Sequence, residues 1–308
     1  MDILAFGNYD LKTYFAQTPG GQGQWGELNF KTEGKECDIL VVFNKPVADL
    51  NVKCRKGGRW LIIQEPPYEK NRYFTFYFRY FDIVISGFNV AGGYKSINDM
   101  ALLTWHIGKN YDELSVIKKN DLNHKTDNVV WITSSANMNP GHAPRLNFLE
   151  ALKQSDLPFE VYGRGIRPLN CKHDVMFPVK YAVAVENYSA HNYWTEKIAD
   201  AYLGWCMPIY YGCKNIEKYF PEGSFLYIDI HNPKEAIAKI KDAIENNAWA
   251  NNLDAIAEAR DLVMNKYNFF PYVQNNLLKE LGDQKINAFV PADPSSMRSR
   301  IKNFFINR

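Results

Sequence analysis

Residues 181–230, YAVAVENYSAHNYWTEKIADAYLGWCMPIYYGCKNIEKYFPEGSFLYIDI, decide how the rest of the chain is read. Tyr181–Val185 is a short, continuous apolar run, the pattern of a strand buried on both faces of a parallel sheet. A polar loop follows, then a helical stretch over Tyr193–Trp205 with Ile198, Ala201, Tyr202 and Trp205 on one apolar stripe. Met207–Tyr211 (MPIYY) and Phe225–Asp229 (FLYID) read as two further strands. This alternation is that of a doubly wound α/β domain. The loop lies between the carboxyl end of a buried strand and the amino end of a helix, where open α/β sheets bind ligands. Asn192 is placed to cap the helix, with Thr195 three residues on. The N–H groups at 193–196 and the helix dipole favour an anion such as phosphate, and Lys197 adds a cation in the first turn. Glu186 and Glu196 put two carboxylates beside that anion site. They suit hydrogen bonds from ribose or sugar hydroxyls, although Glu196 equally suits the helix amino end for its own sake.

Working outward, Val129–Thr133 (VVWIT) and Phe159–Tyr162 (FEVY) read as strands of the same domain, with a helix over Arg145–Gln154 between them. Earlier in the chain, Ile3–Phe6, Asp38–Phe43, Trp60–Ile63 and Asp82–Ser86 are candidate strands of another parallel sheet. The polar stretch Asp112–Asp127 separates the two series and reads as a connection between domains. From Pro233 the pattern is helical, with Ile237, Ile240 and Ile244 at helix spacing. The expected division is an α/β domain over 1–125, a second over 126–284, and a basic amphipathic tail over 285–308. Packing of that tail on the body and peripheral membrane contact are both open.

A chain of 308 residues suits two cores better than one. A net charge of +2 gives no footprint for duplex nucleic acid, whereas a small phosphate ligand needs only local cations. Aromatic residues make up 15% of the chain, a share that serves cores more often than sugar sites. Five cysteines without a CxxC pair suggest neither a disulfide framework nor a zinc site, and the six histidines lack ligand spacing. No basic apolar leader and no membrane-length apolar window is seen, so the cytoplasm is the expected location.

The same fifty-residue stretch resembles the signature of the α-1,3/4-fucosyltransferases. Glu186-Asn187, Tyr193, Thr195-Glu196-Lys197, Pro208, Gly212 and Ser224-Phe225 all fall in step with it. Two weaker matches lie upstream: the loop Ser134-Ser135-Ala136-Asn137 leading to Arg145, and the turn Val161-Tyr162-Gly163-Arg164-Gly165. Trp60–Pro67 (WLIIQEPP) is similar to the family's strand that ends in a glutamate shortly before proline.

The resemblance implies a glycosyltransferase-B fold: two facing Rossmann-like, doubly wound domains with a cleft between them, 1–125 on the acceptor side and 126–284 holding the nucleotide-sugar donor. It implies an inverting hexosyltransferase that takes fucose from GDP-fucose without an obligatory metal or other cofactor. The acceptor would be an oligosaccharide or glycolipid, such as a lipopolysaccharide glycan, attacked through the 3-OH of an N-acetylglucosamine-type sugar. Glu65 is the implied base. Lys197 and either Arg164 or Arg167 would meet the diphosphate. Asn187, Tyr193, Thr195, Glu196 and Glu186 would hold the remainder of the donor, with Arg145 a further candidate. The aromatic run Tyr73–Phe81 could form an acceptor platform, but such a run is more often core. Another GDP-sugar as donor, and a carbohydrate-binding protein without turnover, are the competing readings.

Overall fold

The computed structural model describes residues 1–295 apart from 89, 101, 103–104, 137–141, 277 and 279–280. The chain divides into two units. Met1–Thr104, Asn110–Asp112 and Asn268–Arg308 form the first, and Trp105–Lys109 with Glu113–Tyr267 form the second.

The first unit contains β1 (Asp2–Gly7), β2 (Gln24–Trp25), β3 (Leu28–Lys31), β4 (Ile39–Phe43), β5 (Leu50–Arg55), β6 (Arg59–Ile62), β7 (Ile83–Ile85) and β8 (Lys95–Ile97). Seven of these make a sheet in the order β2-β3-β1-β4-β6-β7-β8, parallel except for the β2–β3 pair. β4 is buried at every position, as its unbroken apolar run requires in a sheet covered on both faces. The aromatic run Tyr73–Phe81 lies largely in a 3₁₀ helix, Glu69–Tyr80. Phe74, Tyr77, Phe78 and Tyr80 are buried there against β4, β6 and β7, so most of the run is core, and of its aromatic residues only Tyr73 and Phe76 are exposed.

The second unit contains β9 (Thr126–Ile132), β10 (Phe159–Tyr162), β11 (Val179–Val185), β12 (Met207–Tyr211) and β13 (Leu226–Tyr227). They form a fully parallel sheet in the order β10-β9-β11-β12-β13. The order reverses between β9 and β11, which leaves a crevice at their carboxyl ends. The His142–Lys153 and Glu196–Leu203 helices are among those that connect the strands.

Two of the sequence-based boundaries shift. The chain returns to the first unit at Asn268, and β14 (Lys285–Val290) pairs antiparallel with β5. Ala288, Phe289 and Val290 are buried in the first unit's core, so the stretch from 285 opens as an integral strand. Its basic end, 296–308, lies outside the described residues. The polar stretch 113–127 is likewise no free connection but belongs to the second unit. Within it Leu114 is buried, its carbonyl accepting from Arg260, and Lys125 is only 7% exposed.

The Lys125 ammonium donates to the carbonyls of Met176 (3.4 Å), Val179 (2.6 Å) and Gly204 (2.9 Å), tying the start of β11 to the end of the Glu196–Leu203 helix. Burial lowers its pKa to about 8. The unfolded chain holds that proton to a higher pH, so the cost of burying the charge is full below about 8 and is relieved as pH rises towards the normal lysine value. Relative to a Lys125→Met variant, the wild type should therefore gain stability between pH 8 and 10.5. The gain should reach up to roughly 3 kcal/mol, measured by urea titration across that range. A constant difference would contradict the buried ammonium.

Candidate active site

β11 ends in a carboxylate that has been drawn into the protein. Glu186 is 1% exposed and follows Val185 at the β9–β11 switch point. Its Oε1 accepts from the Thr195 N–H (2.7 Å), and the Thr195 hydroxyl lies 2.7–2.8 Å from both carboxylate oxygens. Lys197 Nζ stands 3.2 Å from Glu186 Oε2, 3.2 Å from Glu196 Oε1 and 2.9 Å from Thr195 Oγ1. Gly212 makes room for this carboxylate: its φ is +154°, and a Cβ there would lie 2.4 Å from Glu186 Cγ.

The Glu196–Leu203 helix is shorter than its sequence suggests, and its cap is Thr195, whose side chain accepts from Lys197 N–H. Asn192 does not cap it. That residue adopts the left-handed conformation (φ 60°), donates its N–H to Asn215 Oδ1 and accepts from Asn215 Nδ2 and the Tyr219 hydroxyl. Glu186, rather than an outside anion, therefore occupies the helix amino end. It uses both oxygens in doing so, and with Thr195 it positions Lys197 instead of lining a ligand surface.

Charge separates the two glutamates. Burial raises the pKa of Glu186 against the pull of Lys197. Burial also pushes Glu196 upward, but Lys197, Lys172 and His106 outweigh it and bring its pKa down to about 2. Lys197 is pushed down by burial and, more strongly, held up by Glu186 and Glu196. Sequence reasoning missed the supporting layer. Asp200, one turn beyond Glu196 and fully buried, accepts Lys172 Nζ (2.6 Å) and the His106 N–H (2.8 Å). An acidic residue inside an otherwise apolar helix face was the available signal.

The other predicted contacts of this unit lie on or against the loops that follow β9, β10 and β11. Asn187 and Tyr193 lie half-buried on the loop after Glu186, and the Tyr193 ring meets Tyr188 edge-on at 5.7 Å. Arg164 and Arg167 are exposed on the turn after β10. Arg167 pairs with Glu160 (3.3 Å) and stacks 4.5 Å over the Tyr162 ring. The turn abuts the loop after β9: Ser135 N–H donates to Arg164 O, and a Cβ on Gly163 (φ +128°) would fall 1.7 Å from Thr133 O. Arg145 is 4% exposed and holds that loop from below, donating to the Thr133 hydroxyl, Ser134 O and Ala136 O. It is a brace, not a surface cation. Asn137 lies outside the described residues.

Glu65 belongs to the first unit, just past β6, and is exposed. The backbone on either side of it is pinned. Gln64 N–H donates to Asn44 Oδ1 (2.8 Å), and Pro66 O accepts from Asn71 Nδ2 (2.8 Å). Its charge raises the pKa values of two nearby tyrosines, Tyr9 and Tyr73, adding to burial in both cases.

Two α/β units, one with a mostly parallel and one with a fully parallel sheet, and a charged cluster at the carboxyl ends of the second sheet's strands fit a glycosyltransferase of the B fold. A crystal structure of an α1,3-fucosyltransferase shares that fold at TM-score 0.53 and 18% identity, over 82% of this chain and 80% of that one. An α-glucosyltransferase solved with UDP and mismatched DNA does so at TM-score 0.51 and 9% identity, over 87% and 95%. Residues 122–251 match the family model of glycosyltransferase family 10 (fucosyltransferase) C-term. The resemblance read from 181–230 thus holds, and the matched residues lie within the second unit. Over 125 residues the chain is 30% identical to human 4-galactosyl-N-acetylglucosaminide 3-α-L-fucosyltransferase 9, covering 39% of this chain and 34% of that protein. Over 71 residues it is 38% identical to α-(1,3)-fucosyltransferase FucT of Helicobacter pylori, covering 23% and 15%. The matches to the fucosyltransferase 9 proteins span about a third of their length.

Removing the cation from the cluster leaves Glu186 as a buried, unpaired charge. Lys197→Met should cost about 3–5 kcal/mol at pH 8. Because the pKa of Glu186 is then raised above its unfolded value, the loss should shrink as pH falls to 5 and the carboxyl takes up a proton. Urea midpoints at the two pH values check this; equal losses would exclude the pairing.

Proposed function

We propose that this chain is an inverting glycosyltransferase that moves fucose from GDP-fucose to a hydroxyl of an oligosaccharide or glycolipid, the 3-OH of an N-acetylglucosamine-type sugar. The observation that carries the reading is the family match over residues 122–251, which spans the Glu186–Thr195–Glu196–Lys197 cluster.

In this reading Glu65 accepts the proton of the acceptor hydroxyl as that oxygen bonds to the anomeric carbon. The bond from that carbon to the diphosphate oxygen breaks in the same displacement, and GDP leaves with the electron pair. Lys197, with Arg164 or Arg167, stabilises the negative charge that develops on the diphosphate. Glu196, ionised throughout the working pH range, accepts hydrogen bonds from ribose or fucose hydroxyls, with Asn187 and Tyr193 completing the donor contacts. Glu186, Thr195 and Arg145 hold these groups in place. No metal is required, because cationic side chains meet the leaving group. In this reading the reaction takes place in the cytoplasm. No helix among the described residues is long and apolar enough to cross a membrane.

Calorimetric titration with GDP, GDP-fucose, GDP-mannose and UDP-galactose, with and without a chelator, tests the donor site. GDP and GDP-fucose should bind in both conditions and UDP-galactose should not. Preference for GDP-mannose would move the reading to another GDP-sugar, and silence with every nucleotide would remove the enzyme reading. Glu65→Gln should reduce transfer by about 10²-fold or more while leaving GDP affinity unchanged. A parallel loss of GDP binding would contradict its role as base.

A further inference from the structure

One buried carboxylate of the donor-side cluster takes no direct part in the reaction. The Glu186 side chain is wholly shielded from solvent, and the cation it depends on is shared. Lys197 Nζ stands 3.2 Å from Glu186 Oε2 and 3.2 Å from Glu196 Oε1, so one positive charge serves two negative ones. Exposure is graded across the three side chains: 28% for Lys197, 23% for Glu196 and none for Glu186. A ligand therefore meets Lys197 and Glu196, with Glu186 behind them. Once Lys197 turns its charge towards a diphosphate, the two carboxylates fare differently. Glu196 keeps Lys172 and His106 near it. The groups that face Glu186 are Lys197, Glu196 and Thr195, with Tyr210 on β12 and Cys213 just past it. Among these, Lys197 is the only cation. A desolvated carboxylate that loses its counter-charge takes up a proton.

We propose that binding of the nucleotide-sugar is coupled to uptake of a solvent proton by Glu186, which releases Lys197 to the diphosphate. This rests on the assignment of Lys197 to the diphosphate and deepens it. The Glu186 carboxylate plus one proton from water becomes the carboxylic acid, and Lys197 stays an ammonium throughout. Thr195 is placed to serve both states. In the ion-paired state its hydroxyl lies 2.7 Å from Glu186 Oε2, and its oxygen accepts from Lys197 Nζ at 2.9 Å. Departure of Nζ frees that lone pair, and a protonated Oε2 donates to it while the threonine hydrogen turns to Oε1 at 2.8 Å. Charge balance favours the step. Two carboxylates and one ammonium make the resting cluster net negative, a poor host for an anion, and protonation makes it neutral. Burial already pushes the pKa of Glu186 upward against the pull of Lys197, so the proton is taken up readily once that pull weakens. Because the donor-bound state then holds more protons than the free state, donor affinity falls as pH rises between the two pKa values of Glu186.

The test is calorimetric titration of the full chain with GDP-fucose, repeated at each pH in buffers of different ionisation enthalpy. GDP-fucose is a diphosphate diester and exchanges no proton of its own near neutral pH. Between about pH 5.5 and 9 the proton uptake of the wild type should rise to a maximum, approaching about one per donor bound, and fall away on either side. Affinity should drop by at most about tenfold per pH unit across the same window. Glu186→Gln keeps the side-chain shape but does not titrate, and it should abolish the uptake. His191→Gln, at an exposed position of the same loop, should leave the uptake unchanged. Should Glu186→Gln fail to fold, infrared difference spectra of the wild type decide the matter, because donor binding should bring up the C=O stretch of a protonated carboxyl. Zero uptake at every pH, uptake that persists in Glu186→Gln, or difference spectra without that band would overturn the coupling. A wild type that binds no nucleotide is a different result and removes the transferase reading instead.

Discussion

Glu186 is a carboxylate held out of water at the end of a parallel strand, and most of the second unit's local order answers to that fact. A buried anion is tolerated only when it is paired and hydrogen-bonded, and Glu186 meets both conditions within its own loop. The Thr195 N–H and hydroxyl close the loop onto the strand end, and Lys197 supplies the opposite charge. The Glu186 N–H donates to Tyr211 O, which ties the same point to β12, and Gly212 stands where any side chain would strike the carboxylate. The position of Lys197, the start of the helix and the identity of residue 212 are consequences of one desolvated charge.

The cluster also keeps two carboxylates in different states. Glu186 is raised by burial, while Glu196 is lowered by Lys197, Lys172 and His106 acting together. Such divergence is how one site assigns separate duties to like residues. Glu186 serves the framework. Glu196 keeps its charge and faces partial solvent, its side chain 23% exposed. Asp200 contributes indirectly by fixing Lys172 and the backbone of His106.

Parallel strands were legible in the sequence wherever burial on both faces forces an unbroken apolar run, as at Ile39–Phe43, Val179–Val185 and Met207–Tyr211. Strands lacking that constraint were not. β5 alternates polar and apolar residues as LNVKCR, β8 is only three residues long, and β14 becomes recognisable only through its partner far back in the chain, Lys285 facing Arg55 and Val290 facing Leu50. The charged residues of the site were visible as types and spacing, but not in their roles. Whether a glutamate lines a ligand or braces a loop depends on burial, and nothing in Glu-Asn-Tyr distinguishes Glu186 from Glu196 in that respect. Lys125 was hidden for the same reason: in a polar stretch a lysine reads as solvated, and only the fold brings three carbonyls to it.

The return of the chain to its first unit sets the order in which the molecule can be completed as it is made. Synthesis runs from the amino end, and domains tend to fold as their residues emerge. The second unit has all its residues once Tyr267 is available. The first unit, begun earlier, still lacks β14, whose Phe289 and Val290 fill its core beside Val52 and Cys54. The unit that starts first therefore finishes last, with the β5 edge and the apolar surface beneath it uncovered while the intervening residues are added.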